Sequence, residues 1–114
     1  MGTMATRKVG SLEVSLAGLG CNNFGMRIDE EASQAVVDAA FAAGVNHFDT
    51  ANIYGGGKSE EFLGRALGSR RDEAVITTKV GMGVPEGERG GGRDYVLAQC
   101  DASLARLGTD RIDL

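Results

Sequence analysis

The sequence lacks the features that would mark a partner of nucleic acid or membranes. Its 12 basic residues form no cluster, and 16 acidic residues leave a net charge of −4. This balance disfavours nucleic acid and anionic membrane surfaces as partners. No run approaches the roughly 18 apolar residues of a membrane-spanning helix, and the first ten residues contain no apolar signal segment. We therefore expect a cytoplasmic protein without nucleic-acid or membrane partners.

Cysteine and histidine are also scarce. The two cysteines, Cys21 and Cys100, are far apart in the sequence and form no CxxC motif. This argues against a disulfide framework and offers no zinc-binding spacing, so we expect no metal site. The single histidine, His47, lies within a strand-like run, where a packed residue is more common than a catalyst. Free thiols suit a reducing compartment.

Glycine, by contrast, is abundant, with 18 residues in a chain of 114. Apolar residues make up 42% and charged residues 25% of the chain, which is ordinary for a soluble globular protein. Short apolar runs alternate with longer amphipathic ones. The predicted elements are a hairpin turning at Gly10-Ser11, a strand in LAGLG, a helix capped by Asp29 and ending at Gly44, a strand in VNHFDTA, a helix capped by Ser59 and ending at Gly68, a strand in AVITTKV, a helix opened by Asp94 and ending at Gly108, and a further strand starting at RIDL.

Strands that alternate with helices at this spacing predict parallel strands joined by right-handed crossovers. The fold is then a TIM-type barrel or an open doubly wound sheet, and both place their chemistry at the carboxyl ends of the strands. In this sequence those ends carry the segments from Gly20 to Asn23 and from Asp49 to Tyr54, together with Lys79.

Two kinds of chemistry compete for this rim. The segment NIYGGGKS ends in the Gly-Lys-Ser of a P-loop, but Asn52 stands where that motif requires its first glycine. A phosphate-binding site, with Lys58 curled over the glycines, is therefore the weaker alternative. The stronger one is proton transfer by Tyr54. A phenol has an ordinary pKa of about 10, which a nearby ammonium lowers, and a carboxylate keeps that ammonium charged and in place.

The stretch FDTANIYGGGKSEEFLGRAL resembles the aldo-keto reductase signature, FDTA-x-x-YG-x-x-x-SE-x-x-LG-x-AL, at every defined position. GLGCNNFG, VITTKVG and SLARLGTDRIDL also resemble segments of that family, so the likeness extends from about Val9 to Leu114. It implies the N-terminal part of a (β/α)₈ barrel behind a leading β-hairpin. Residues 1–114 would form a single partial domain of about three β/α units and the start of the fourth strand.

The same resemblance implies an oxidoreductase that uses NADPH, or less often NADH, to reduce small aldehydes or ketones to alcohols. Tyr54 would be the general acid, Lys79 would lower its pKa, and Asp49 would pair with Lys79 near the nicotinamide ribose. Gly20, Cys21 and Asn22 resemble residues that lie along the cofactor. Glu60 and Glu61 are interpreted as residues that complement the helix dipole.

The sequence departs from the family pattern at its end. The family's fourth catalytic residue is a histidine shortly after the IDL motif, whereas this chain stops at Leu114, and a whole barrel needs about 250 residues. We therefore expect the chain alone to be inactive and to carry open sheet edges that favour self-association. A non-catalytic half-barrel that pairs its edges with another chain is the alternative function.

Overall fold

The computed structural model describes residues 3–114. Its elements follow the predicted order of a hairpin and then alternating strands and helices. None of the helices in this range combines the length and apolar character needed to cross a bilayer. The elements are β1 (Thr6–Val9), β2 (Leu12–Ser15), β3 (Gly18–Gly20), α1 (Glu30–Ala42), β4 (His47–Asp49), a 3₁₀ turn (Tyr54–Gly57), α2 (Lys58–Leu67), a second 3₁₀ segment (Gly68–Glu73), β5 (Val75–Thr77) and α3 (Arg93–Leu107).

The leading hairpin is confirmed. β1 and β2 pair antiparallel, with Val9 opposite Leu12. The two-residue turn between them uses Gly10 at φ 61°, a left-handed conformation that glycine adopts at little cost. Asn46, just before β4, bonds to the other end of the hairpin, because its side-chain oxygen accepts from the Ser15 N–H at 2.8 Å. The hairpin is thereby attached to the amino end of the main sheet.

The main sheet consists of β3, β4 and β5 in that order, all parallel. Leu19, Phe48 and Ile76 lie side by side across the three strands and pack into the hydrophobic core beneath the helices. Since strand residues alternate between faces, the neighbouring positions point to the opposite, helix-free face. The predicted α/β sheet with parallel strands is confirmed, and within residues 3–114 it does not close into a barrel.

Helix α1 begins as the sequence predicts. The Asp29 carboxylate accepts a hydrogen bond from the Ala32 N–H at 2.9 Å, which satisfies one of the free N–H groups of the first turn. The helix ends at Ala42, and Gly44 follows at φ 90° in the left-handed region. The predicted stop at Gly44 is therefore confirmed to within the last turn.

The predicted cap of α2 is wrong. Helix α2 begins at Lys58 and is capped by Gly57, while the hydroxyl of Ser59 turns into the interior instead of capping the helix. A tertiary hydrogen bond has replaced the local cap, which sequence spacing cannot reveal. The start of α3 is confirmed to within one residue, since the helix begins at Arg93 and Asp94 lies in its first turn.

The final segment, RIDL, lies along β5. Its backbone bonds match those of a parallel neighbour: the Leu114 N–H donates to the Ile76 carbonyl at 3.1 Å, and the Thr78 N–H donates to the Leu114 carbonyl at 3.0 Å. The Asp113 carboxylate accepts from the Ile76 N–H and pairs with Arg71 at 3.0 Å. Burial opposes ionisation of Asp113, but these bonds outweigh it and hold the pKa of Asp113 below its ordinary value.

Helices α2 and α3 cross at a glycine. A Cβ placed on Gly64 would lie 2.1 Å from the carbonyl oxygen of Leu107, a distance that no side chain can occupy. Gly64 therefore allows the α2 backbone to approach the end of α3. This contact sets how closely the end of α3 packs on α2.

We predict that Gly64→Ala lowers the free energy of unfolding by about 1–3 kcal/mol, because two backbones must separate to admit one methyl group. This loss exceeds the gain in helix propensity from alanine. Urea denaturation followed by circular dichroism measures the change. Gly91→Ala is the matched control, since a Cβ there meets nothing within 4 Å. Equal stability of Gly64→Ala and the parent chain would contradict the close approach.

Candidate active site

The carboxyl ends of the three parallel strands are joined beyond the strands themselves. Backbone hydrogen bonds continue the ladder past Gly20, Asp49 and Thr77, so the segments predicted to carry the chemistry lie next to one another. The three bonds run from the Cys21 N–H to the Asp49 carbonyl (2.8 Å), from the Thr50 N–H to the Thr77 carbonyl (2.9 Å) and from the Asn52 N–H to the Lys79 carbonyl (3.1 Å).

Asp49 and Lys79 meet on the helix-free face of the sheet. The Lys79 Nζ donates to Asp49 Oδ1 at 2.5 Å and to the backbone carbonyl of Thr50 at 2.6 Å. The structure thus places together the two groups that the sequence predicted to pair. Both side chains are nearly half exposed, at 46% and 45%. Exposed ion pairs contribute about 0–1 kcal/mol, so this pair adds little to stability.

The environment of Lys79 keeps its amine charged. Partial burial acts to lower the pKa of Lys79, but the hydrogen bond and charge of Asp49, with a further contribution from Tyr54, outweigh burial and raise that pKa above its ordinary value. Lys79 is therefore a fixed cation at neutral pH.

Tyr54 reaches this cation through a turn rich in glycine. Gly55, Gly56 and Gly57 all have positive φ, at 60°, 67° and 98°, and they redirect the chain between β4 and α2. At Gly55 a Cβ would lie 2.6 Å from the Phe24 carbonyl oxygen, so the turn packs tightly on the loop after β3. The Tyr54 ring centroid then lies 5.2 Å from the Lys79 Nζ. The tyrosine is thus held at the Asp49–Lys79 pair.

A small cavity of about 140 Å³ opens beside the tyrosine and the lysine. Its other walls are mostly apolar. The lining residues are Ala51, Asn52, Ile53, Tyr54, Lys79, Val80 and Met82. The cavity therefore combines one cation and one phenol with an apolar surround, which is the usual make-up of a small-molecule site.

The arrangement required for phosphate binding is not found. The Lys58 side chain lies against Gly25, in the loop after β3, where a Cβ would come 2.4 Å from the Lys58 Cβ. Tyr54, which should point away from the site in that alternative, lies at Lys79 instead. The geometry of the glycine turn therefore does not fit a P-loop.

The three residues predicted to lie along the cofactor differ in exposure. Gly20 and Asn22 are exposed, and Gly20 lies opposite Asp49 in the sheet register. Cys21 is fully buried in the core, so its thiol does not face the site. Only the backbone of Cys21 takes part in the rim, through its N–H to Asp49 and its carbonyl, which accepts from Ser59 at 2.7 Å.

His47 lies two residues before Asp49 on the same face of the sheet. Its Nε2 is 2.7 Å from the Thr77 hydroxyl, and its ring packs against Gly18, where a Cβ would lie 3.1 Å from Nδ1. This packing supports its interpretation as a structural residue. Among the described residues, 3–114, no three His, Cys, Asp or Glu side chains gather as a metal site would require.

Sequence reasoning missed two buried polar residues at the start of α2. The Ser59 hydroxyl bonds to the Thr50 hydroxyl at 2.8 Å and to the Cys21 carbonyl. Glu60 is fully buried and bonds to Thr78 and Arg106, both at 2.7 Å. The fixed Ser-Glu pair in the signature was the available signal. Glu60 and Glu61 do lie in the first turn of α2, where an acidic residue complements the helix dipole, but the sequence did not reveal that Glu60 is buried.

Comparisons with known proteins agree on one family. The model of the "Aldo/keto reductase family" matches residues 17–114. The uncharacterized oxidoreductase YqkF of Bacillus subtilis (strain 168) is 36% identical over 97% of this chain and 38% of its own length. The chain therefore spans well under half of this curated relative.

Two solved structures resemble this one closely. The holo form of an aldo-keto reductase from Bacillus halodurans superposes with a TM-score of 0.84 at 35% identity, over 96% of this chain and 38% of that protein. A Pseudomonas aeruginosa protein named as an aldo-keto reductase superposes with a TM-score of 0.82 at 37% identity, over 94% of this chain and 44% of that protein. Matches of this extent identify the present fold as part of a (β/α)₈ barrel.

We predict that the two thiols differ strongly in reactivity. Burial, with the nearby Asp49 charge, raises the pKa of Cys21 to about 12, whereas Cys100 is exposed. In the folded chain at pH 8, iodoacetamide should therefore alkylate Cys21 at least about 100-fold more slowly than Cys100. Peptide mass spectrometry over a time course measures both rates, and urea should equalise them. Rapid labelling of native Cys21 would show that its thiol faces solvent.

Proposed function

Because the chain belongs to the aldo/keto reductase family, we propose that it is part of an NAD(P)H-dependent oxidoreductase that reduces aldehydes or ketones to alcohols. The observation that supports this reaction most directly is the contact of Lys79 with Asp49, with the Tyr54 ring 5.2 Å from the same ammonium. When a phenol gives its proton to a carbonyl oxygen a phenolate is left behind, and a neighbouring ammonium stabilises that negative charge.

In this proposal Tyr54 is the catalytic acid. Its hydroxyl donates a proton to the carbonyl oxygen of the substrate as negative charge develops there. Lys79 stabilises the phenolate that remains, because an ammonium near the ring favours the ionised form. Asp49 and the Thr50 carbonyl hold the Lys79 ammonium in place, at 2.5 Å and 2.6 Å. The carbonyl substrate itself would enter the cavity between Tyr54 and Met82.

The rim also fits the reactive end of a nicotinamide cofactor. Gly20 presents backbone without a side chain; a Cβ there would meet only the Asn22 side-chain oxygen, at 3.7 Å. Exposed Asn22 and the carboxylate of Asp49 would supply polar contacts for the carboxamide and ribose. NADPH, or NADH, would supply the hydride that adds to the carbonyl carbon. The buried Cys21 would contribute only its backbone.

The chain alone should lack appreciable activity. It corresponds to 38% of the Bacillus halodurans enzyme, and the family resemblance implies a fourth catalytic residue, a histidine, after the last strand segment. We propose that residues 1–114 form one partial domain whose site is completed by further chain. Catalysis also requires that the hydride donor be held against the substrate. Two free thiols support a reducing, cytoplasmic setting for this enzyme.

A chimera tests the proposed roles. Residues 1–114 are joined to the part of the Bacillus halodurans enzyme that lies beyond its matched segment, and NADPH oxidation is followed with a simple aldehyde. We predict activity in the chimera and none in the chain alone. Tyr54→Phe should lower kcat about 100- to 10,000-fold, since it removes the donated proton.

Tyr95→Phe is the matched control, because Tyr95 is the other tyrosine and lies on α3. It should leave the chimera's activity unchanged. Lys79→Met should lower kcat, because the phenolate left on Tyr54 would lose its counter-charge. Full activity of Tyr54→Phe, or NADPH-dependent reduction by the 114-residue chain alone, would contradict the proposal.

A second candidate function is supported by apolar side chains at the open edge of the sheet. Val80, Val96 and Leu114 are 38%, 36% and 58% exposed and line a groove of about 300 Å³ between α3 and the last chain segment. Leu114 also lies at an edge whose outer backbone groups have no strand neighbour within residues 3–114. We propose that the isolated chain associates with itself through this edge.

Sedimentation velocity over a range of concentrations tests this association. We predict that the weight-average sedimentation coefficient rises with concentration, and that Val80→Lys reduces the rise by placing charge in the groove. Lys8→Glu, on the exposed hairpin strand β1, is a control for a charge change elsewhere. A monomer at all concentrations would exclude this candidate.

A further inference from the structure

Glu60 occupies an unusual position for a carboxylate. It is the only charged residue in the buried class within residues 3–114, with no exposed surface. Both of its oxygens are used: Oε1 accepts from the Arg106 Nε at 2.7 Å and Oε2 accepts from the Thr78 hydroxyl at 2.7 Å. Burying a charge is costly unless it is paired and fully hydrogen-bonded. Glu60 meets this condition through Arg106 and Thr78, and these bonds connect α2 to α3 and to the end of β5.

Arg106, the cation that pairs with Glu60, occupies space that a side chain at Gly57 would fill. Arg106 extends from α3 and passes beside Gly57, where a Cβ would lie 3.0 Å from the Arg106 Cδ. Its guanidinium also contacts the Ser103 hydroxyl at 3.3 Å. The glycine turn that carries Tyr54 therefore also admits the arginine. This links the packing of α3 to the same turn.

Thr78 connects the buried pair to the candidate site. It directly precedes Lys79, and both residues lie beyond Thr77, the last residue of β5. Successive side chains of an extended segment point to opposite faces, so the Thr78 hydroxyl reaches Glu60 on the helix side while Lys79 reaches Asp49 on the open side. Fixing Thr78 on one face fixes the backbone from which Lys79 projects on the other.

We propose that Glu60 is a positioning residue for Lys79: through the Thr78 hydroxyl it holds the end of β5 so that the lysine reaches both Asp49 and the Thr50 carbonyl, and Arg106 of α3 is the counter-charge that keeps Glu60 buried. The importance of this placement rests on the proposed function, in which Lys79 acts on Tyr54. The placement itself is a property of the 114-residue chain and is measured without turnover.

Thr78→Val tests the connection, because it removes the hydroxyl and keeps the shape of the side chain. The titration of the Lys79 ε-methylene is followed by ¹³C NMR in the folded chain. Without the tie to Glu60 we expect the pKa of Lys79 to fall, since the Asp49 contact that outweighs burial is weakened. At a fixed pH below the pKa, acylation of Lys79 should then become at least about threefold faster, because one pKa unit changes the free amine tenfold.

Three further variants separate positioning from general loosening. Thr78→Ser keeps the hydroxyl and should retain the parent pKa and acylation rate. Val37→Ala removes packing from the buried face of α1, a helix that carries neither Glu60 nor Arg106, and should destabilise the chain without changing Lys79. If Thr78→Val does not fold, Thr78→Ala leaves space for a water to bond Glu60 and is measured in its place.

An unchanged Lys79 pKa and acylation rate in folded Thr78→Val or Thr78→Ala would overturn the inference. An equal change in Val37→Ala would also overturn it, since the effect would then follow from stability alone. The result is independent of the chimera: an inactive chimera with a Thr78-dependent Lys79 refutes the proposed function and leaves the positioning role intact.

Discussion

The first turn of α2 is the constraint on which the geometry of the rim depends. Two consecutive buried residues, Ser59 and Glu60, bond to the chain just beyond each of the three parallel strands. Ser59 reaches the Cys21 carbonyl and the Thr50 hydroxyl, and Glu60 reaches Thr78. Leaving any of these buried groups unpaired would cost about 1–3 kcal/mol or more. These bonds therefore fix the positions of the three strand ends relative to the first turn of α2.

The ion pair at the centre of the site depends on this support. Lys79 and Asp49 are both nearly half exposed, and the energy of such an exposed pair is too small to fix the positions of two strand ends. Each partner is next to a residue anchored by α2: Asp49 precedes Thr50 and Lys79 follows Thr78. The polar residues inside the protein thus set the distance between polar residues on its surface. Such a division suits a site that must remain open to a substrate.

The two faces of the sheet differ in what covers them. Helices cover one face of the sheet, while the face with Asp49 and Lys79 is open and the edge beyond Leu114 is free within residues 3–114. In a (β/α)₈ barrel the open face becomes part of the packed interior, and the edge pairs with the next strand. The chain spans 38% to 44% of the solved relatives it resembles. The apolar groove lined by Val80, Val96 and Leu114 lies between α3 and the last chain segment.

Local signals in the sequence determined much of this structure. Short-range chemistry accounts for the turn at Gly10, the cap by Asp29 and the order of strands and helices. The rule that the carboxyl ends of parallel strands lie on one side of the sheet accounts for the contact of Asp49 with Lys79. The family followed from one unbroken signature. Only the tertiary structure decided the remaining features. Ser59 bonds in the interior instead of capping α2, Glu60 is buried, and Gly64 packs against the end of α3. These outcomes depend on contacts between residues far apart in the chain, such as Glu60 with Arg106, and such contacts form only when the helices pack.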